Sequence, residues 1–298
     1  AMTTFSNYAL EWEETSITNI GLDFGVLNNR LNGTIEVYDK KTDGILYRPT
    51  LPESLNQFTS PLQNLAGVNN KGLEITLGWN DRVGDISYSV SGNFTYNKNK
   101  VTKYKGELVR EWRTDANGNK VWYQNVGTVA NGSSNLIVEG HEMNEYYMMN
   151  PYKGNGSYFN SDGTVNINGG PKDGMIRTEA DMKWLQAMFD AGYKFYPNQA
   201  IGKDKIWYGD MIYADYNGDG IYGNDDDRDF QGVSWRPKYY FGLQASMTWK
   251  GFDLSMNWAG AAGFKIDYYK QTQNSVSVTH GYGLGYDIAY DHYFFDPE

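Results

Sequence analysis

Tyr239-Tyr-Phe-Gly-Leu-Gln-Ala-Ser-Met-Thr-Trp249, the dipeptide Lys250-Gly251, and Phe252-Asp-Leu-Ser-Met-Asn-Trp258 decide how this chain folds. Apolar side chains fall on every second residue, a period that a strand sorts onto one face and a helix scatters. Lys-Gly between the two runs is turn chemistry, so the stretch predicts a β-hairpin. The same alternation recurs upstream. One face collects Ile20, Leu22, Phe24 and Val26, then Leu31, Gly33, Ile35 and Val37. It continues with Leu73, Ile75, Leu77 and Trp79, and with Ile86, Tyr88, Val90, Gly92, Phe94 and Tyr96. Over six segments this face has 28 positions and no charge.

The opposite face holds Ser, Thr, Asn, Gly, a few carboxylates, and no Lys or Arg (Asn32-x-Thr34-x-Glu36, Ser87-x-Ser89-x-Ser91-x-Asn93). Sheet faces open to bulk water normally carry Lys and Glu for solubility and edge protection. A small, polar, cation-free face suits the lumen of a barrel, although alternation alone also fits a soluble sandwich. Connections add a second argument. Leu27–Arg30, Asn80–Asp85 and Lys250-Gly251 are short and rich in turn formers, and between them lie the long segments 41–64 and 98–235. Short and long links alternating with strand direction are the pattern of outer-membrane barrels. Aromatics at strand ends (Trp79, Tyr96, Tyr239, Trp249, Phe252) fit the two interfacial girdles.

Composition agrees. The 298 residues are 16% aromatic, with 25 Tyr and 9 Trp, which excludes a disordered chain. Absence of Cys excludes a disulfide-stapled module. No window approaches the roughly 18 apolar residues of a spanning helix, and mean hydropathy is -0.64, which alternating barrel strands allow. A net charge of -10 argues against nucleic acid as a partner. Ala1-Met-Thr-Thr4 shows no export signal. The 98–235 insert is too long for a bare loop. One helix is legible in it: Thr178 as cap, Asp181 three residues on, and an apolar stripe of Met182, Leu185, Met188 and Phe189 before Gly192, expected to pack the insert.

The sharpest local motif is Asp215-Tyr-Asn217-Gly-Asp219-Gly220-Ile221, followed by Asp225-Asp226-Asp227. Oxygen donors at positions 1, 3 and 5, Gly at 6 and a carboxylate at 12 suit one hard cation. The expected ligands of a structural Ca2+ are Asp215, Asn217, Asp219, the Ile221 carbonyl and Asp226. Position 12 is Asp rather than Glu and no helix precedes the loop, so an acidic Asx turn is the competing reading. Catalytic motifs fail. His141-Glu-Met-Asn-Glu145 lacks the second His of a zinc protease, and no G-x-S-x-G, P-loop or dinucleotide fingerprint occurs. No carboxylate pair is singled out for glycoside hydrolysis. The chain is not expected to be an enzyme.

Leu10-Glu-Trp-Glu-Glu-Thr15 with Thr18–Phe24, Leu31-Asn-Gly-Thr through Tyr38-Asp-Lys-Lys-Thr42-Asp, and Val68-Asn-Asn-Lys-Gly-Leu-Glu74 resemble the SusC/RagA group of TonB-dependent outer-membrane transporters. So do Phe94–Val101, the 215–227 loop, and Pro237 through Ser255, spreading the likeness from residue 10 to about 263. The resemblance implies an all-β fold, an antiparallel transmembrane segment of a plugged 22-stranded barrel with long extracellular loops and one short loop helix. It implies energised uptake of oligosaccharides or peptides in the Gram-negative, Bacteroidota-type outer membrane, with a SusD-like surface lipoprotein as lid. Residues 1–298 read as the C-terminal portion of that barrel; plug and TonB box are absent, so TonB would act through a preceding N-terminal part. Phe294–Glu298 lacks the usual terminal aromatic. The alternative is a soluble calcium-dependent carbohydrate-binding β module, in which the apolar face must meet another sheet.

Overall fold

The computed structural model describes residues 7–48, 60–104, 108–125, 135–196, 199–202 and 204–266. Ala1–Thr4, Phe294–Glu298, His280 and His292 lie outside them. Four long strands come first: β1 (Glu14–Val26), β2 (Leu31–Tyr47), β3 (Gln63–Val83) and β4 (Ile86–Lys103). Short strands follow: β5 (Arg110–Thr114), β6 (Lys120–Gln124), β7 (Asn135–Leu136), β8 (Glu145–Met149), β9 (Lys194–Phe195), β10 (Ile221–Tyr222) and β11 (Arg228–Phe230). The helix α1 (Glu179–Asp190) lies among them, and β12 (Tyr239–Trp249) and β13 (Phe252–Ala262) close the series.

Six strands form one antiparallel sheet in the order β1-β2-β3-β4-β12-β13. Its register assembles the alternation into continuous rows. Leu22 faces Ile35, Ile35 faces Ile75, Ile75 faces Phe94, Phe94 faces Phe241, and Phe241 faces Gly260. A one-residue slip anywhere would break the row and turn a polar residue outward. Aromatics mark both ends of the apolar band. Tyr96 stacks on Tyr239 with centroids 5.2 Å apart, and Trp249 on Phe252 at 6.3 Å. Tyr239 and Trp249 lie ten steps apart on one strand, about 33 Å of contour. At the usual tilt of about 40° that is about 25 Å across, the height of the apolar band of an outer-membrane barrel.

The turns are tighter than expected at one place. Asn80–Arg82 continue β3, pairing Asn80 with Ser89, Asp81 with Tyr88 and Arg82 with Ser87, so the link to β4 is Gly84-Asp85 alone. Gly84 has φ +61°, and the β12–β13 turn uses φ +46° at Lys250 and +87° at Gly251, the backbone a two-residue hairpin needs. At the far ends the strands also overrun their apolar stretches, β2 to Tyr47 and β4 to Lys103.

The chain divides into two compact units. Ala1–Val109, Asn125–Tyr146 and Gly232–Ile266 hold the six-stranded sheet. Among the described residues, Arg110–Gln124 and Tyr147–Gln231 form the other unit, in which β5 pairs with β6 and β9 runs parallel to β10. Its core is Tyr152, Ile176, Trp184, Leu185, Met188, Phe195, Ile206, Ile212 and Tyr222. The helix begins as its sequence predicts. Thr178 Oγ1 accepts from Asp181 N–H at 3.2 Å, and Asp181 Oδ2 accepts from Thr178 N–H at 2.8 Å, a reciprocal capping box. Leu185 and Met188 are buried as expected, and Trp184, outside the predicted stripe, is the largest fully buried side chain. Among the described residues no helix is long and apolar enough to cross a membrane.

Candidate functional site

The sheet is itself the first functional feature. Its uncharged face is uncovered among the described residues: Ile20 is 69% exposed, Leu22 61%, Leu243 44% and Trp258 50%. A soluble module would bury such residues against a second sheet. A contiguous apolar face of this extent asks for lipid. The opposite face is held by small polar contacts. Ser89 and Ser246 share a hydrogen bond of 2.7 Å, Thr34 donates to Asp23 at 2.6 Å, and Thr248 donates to Asp253 at 2.7 Å.

On that polar face, at the end away from the hairpin turns, lies a cavity of about 340 Å³. Asn70, Asn97 and Asn99 supply amides from β3 and β4, while Trp235 and Tyr240 supply half-exposed aromatic surface. Tyr38 O–H donates to Asn97 Oδ1 at 3.0 Å, and Met143 N–H donates to Asn99 Oδ1 at 2.7 Å. These bonds occupy the carbonyl oxygen of each amide. Lys238 Nζ sits 2.6 Å from Glu142 Oε1, and Arg236, which also lines the cavity, lies over the Trp235 ring at 5.0 Å. The reading of residues missed this cavity because it draws on segments far apart in sequence.

The acidic loop is built by its own carboxylates. Asp215 Oδ1 accepts from Gly218 N–H at 2.6 Å and Asp219 N–H at 3.2 Å, and its Oδ2 accepts from Gly220 N–H at 2.9 Å. Asn217 Oδ1 accepts from Asp219 N–H, and Asp219 Oδ1 from Ile221 N–H. Asp215, Asn217 and Asp219 are therefore brought together. Asp226 is turned to the Gln124 amide, which donates to its Oδ1. Among the described residues no three His, Cys, Asp or Glu side chains converge as metal ligands. The side chain that closes the loop is Asp227, 1% exposed, which accepts from the N–H groups of Tyr216, Gly223 and Asn224. The sequence motif singled out its neighbour, because position 12 of the spacing falls on Asp226. Burial, with Asp219 and Asp225 nearby, holds the Asp226 carboxyl above its ordinary pKa. Burial also raises that of Asp227, against the pull of its three N–H donors. Both shifts come first from burial, with neighbouring carboxylates adding to it: Asp219 and Asp225 at Asp226, Asp215 at Asp227.

His141 has a structural role. Its Nδ1 lies 3.1 Å from Oε2 of Glu145, the residue standing where a second zinc-binding His would be. Burial pushes the Glu145 carboxyl up, but His141 and the N–H groups of Gly232 and Glu142 outweigh it and hold the pKa below the ordinary value.

Comparison with known proteins matches the wall. Residues 1–135 fit the family model described as TonB dependent receptor-like, beta-barrel. The chain is 35% identical over 133 residues to the TonB-dependent receptor SusC of Bacteroides thetaiotaomicron, covering 42% of this chain and 13% of that protein. It is 29% identical over 170 residues to the TonB-dependent receptor P39 of Formosa agariphila, covering 52% of this chain and 16% of the relative. The chain thus spans a small part of the relatives it matches. In fold it resembles the RagAB peptide transporter, with a TM-score of 0.56 at 19% identity, over 88% of this chain and 22% of that one. The two-faced antiparallel wall with its paired aromatic girdles is thus similar in sequence, over residues 1–135, and in fold, over most of the chain, to the β-barrels of TonB-dependent receptors.

Proposed function

We propose that the chain forms part of a nutrient importer, energised through TonB and covered by a SusD-like surface lipoprotein, rather than part of an enzyme. The observation that carries this is the wall: an exposed, uncharged apolar face on one side and a small polar face on the other, the pattern of a barrel strand between lipid and lumen. The amides and aromatic rings of the cavity (Asn70, Asn97, Asn99, Trp235 and Tyr240), beside the guanidinium of Arg236, support an oligosaccharide over a peptide. Amides bond hydroxyls in either direction, and a flat aromatic face covers the apolar side of a sugar ring. Uptake of labelled oligosaccharides and of labelled peptides by cells with and without the receptor is the test. Deletion should abolish oligosaccharide uptake, an uncoupler of the proton gradient should do the same, and Trp235→Ala should lower it about tenfold. Unchanged uptake of both classes on deletion would overturn the importer, and loss of peptide uptake alone would reverse the choice of substrate.

For the acidic loop we propose a structural calcium ion held by Asp215, Asn217, Asp219, the Ile221 carbonyl and Asp226. The donor types fit a hard cation, and Asp215, Asn217 and Asp219 are already gathered in one loop. Asp226 would exchange Gln124 for the ion. Because its folded carboxyl keeps the proton to higher pH than a free Asp, acidification should weaken binding while ordinary Asp side chains are still ionised. Calorimetry on chelator-stripped receptor should show one-site calcium heat that Asp219→Ala removes. No heat in the unmutated protein leaves a hydrogen-bonded acidic turn.

A further inference from the structure

The sheet continues past its aromatic girdle, and its lipid-side face there changes character. Val37, Leu73, Tyr96 and Tyr239 form the last apolar row. Two residues further along, the same face carries Asp39, Lys71 and Lys98 in register, and two further, Lys41, Asn69 and Lys100. All four lysines are exposed. Asp39 is already engaged, accepting from Asn69 Nδ2 at 2.6 Å and pairing with Lys71 Nζ at 3.2 Å. Lys41, Lys98 and Lys100 have no ion-pair partner among the described residues. The next acids on this face, Glu14 and Asp43, pair with each other in register one row higher, on the side of the sheet away from β4.

We propose that these lysines bind the phosphate groups of anionic lipids in the outer leaflet. Height and charge both select that occupant. Two rows at the usual rise and tilt stand about 5 and 10 Å above the tyrosines, at the headgroup level. Lysine stems can lie along the tyrosine row while their ammonium groups reach the phosphate plane. Three adjacent strands set the charges within about 10 Å laterally, which suits headgroups carrying more than one negative charge. In a chain of net charge -10, three lysines without ion-pair partners among the described residues, gathered in two rows on the lipid side of the wall, are a local excess of positive charge. The site is independent of what the receptor imports.

The experiment uses the intact receptor, extracted from outer membranes in mild detergent and exchanged extensively. Native mass spectrometry and phosphate analysis then count retained lipid in the unmutated protein, in Lys41→Gln/Lys98→Gln/Lys100→Gln, and in a charge-matched Lys40→Gln/Lys103→Gln/Lys120→Gln variant. Retained phospholipid and lipopolysaccharide should fall about fivefold or more in the first variant and stay level in the second. Equal loss in both variants, or no loss in the first, would overturn the proposal. Displacement of the lipid by millimolar inorganic phosphate would also overturn it, by showing a site for phosphate in solution.

Discussion

Leu243→Arg should destabilise the membrane-inserted sheet by about 2–4 kcal/mol, a shift of about 30- to 800-fold in the folding equilibrium. Leu243 lies in the middle of β12, facing Gly92 on β4 and Trp258 on β13, far from both girdles. A guanidinium there has no polar neighbour on its face and must sit in hydrocarbon. Leu77→Arg on β3 should behave alike, since Leu77 also faces Gly92 in the same row. Ser89→Arg points to the other face, where only a 2.7 Å bond to Ser246 is lost and the cation meets a polar lumen. It should cost far less. Reversible unfolding of the receptor in lipid vesicles, followed by heat-modifiable gel migration, measures all three. A silent Leu243→Arg beside a damaging Ser89→Arg would mean that the facing is inverted.

Trp184→Ala should cost the second unit about 3–5 kcal/mol. The indole is fully buried, lies 5.3 Å from the Tyr152 ring, and donates from Nε1 to the Asn166 carbonyl at 3.0 Å. Removing it empties the centre of the core, takes away one of the two donors to that carbonyl (Gly169 N–H remains at 2.8 Å), and unseats the helix whose capping box remains intact. Limited proteolysis on intact cells should show new cleavage in residues 147–231 while the detergent-resistant barrel persists. Conservative Trp184→Phe keeps most of the volume and should cost clearly less, so equal losses for the two variants would contradict the packing argument.

The wall was legible because one rule, alternation, wrote it six times, and the register then had a single way to keep charges off one face. The strand ends were not legible. Asn80-Asp-Arg82 looks like turn chemistry, but hydrophobic alternation stops at Trp79 while backbone pairing continues to Val83. The short strands β5 to β11 were invisible for a related reason: two to five residues cannot display a period. Trp184 escaped because the predicted stripe followed one edge of the helix, whereas the core surrounds a wider arc. In the acidic loop, spacing identified which residues gather, namely Asp215, Asn217 and Asp219. It could not tell Asp226 from Asp227, since which carboxylate turns inward depends on the 3-10 turn Asp225–Asp227 that carries them.

The junction of β4 with β12 sets a tempo for assembly. Within the sheet every other neighbouring pair except β2 and β3 meets after a turn of two to four residues, but Tyr96 must find Tyr239 across more than a hundred residues. Closing that span as loose chain costs about 4 kcal/mol of entropy before any ladder bond repays it. Once the intervening core of Trp184 and its neighbours has condensed, most of the span is no longer free, and the penalty shrinks toward that of two short tethers. The wall is therefore expected to zip in two bursts, β1 through β4 and then the β12–β13 hairpin. The pause between them is timed by a segment that contributes no strand to the wall.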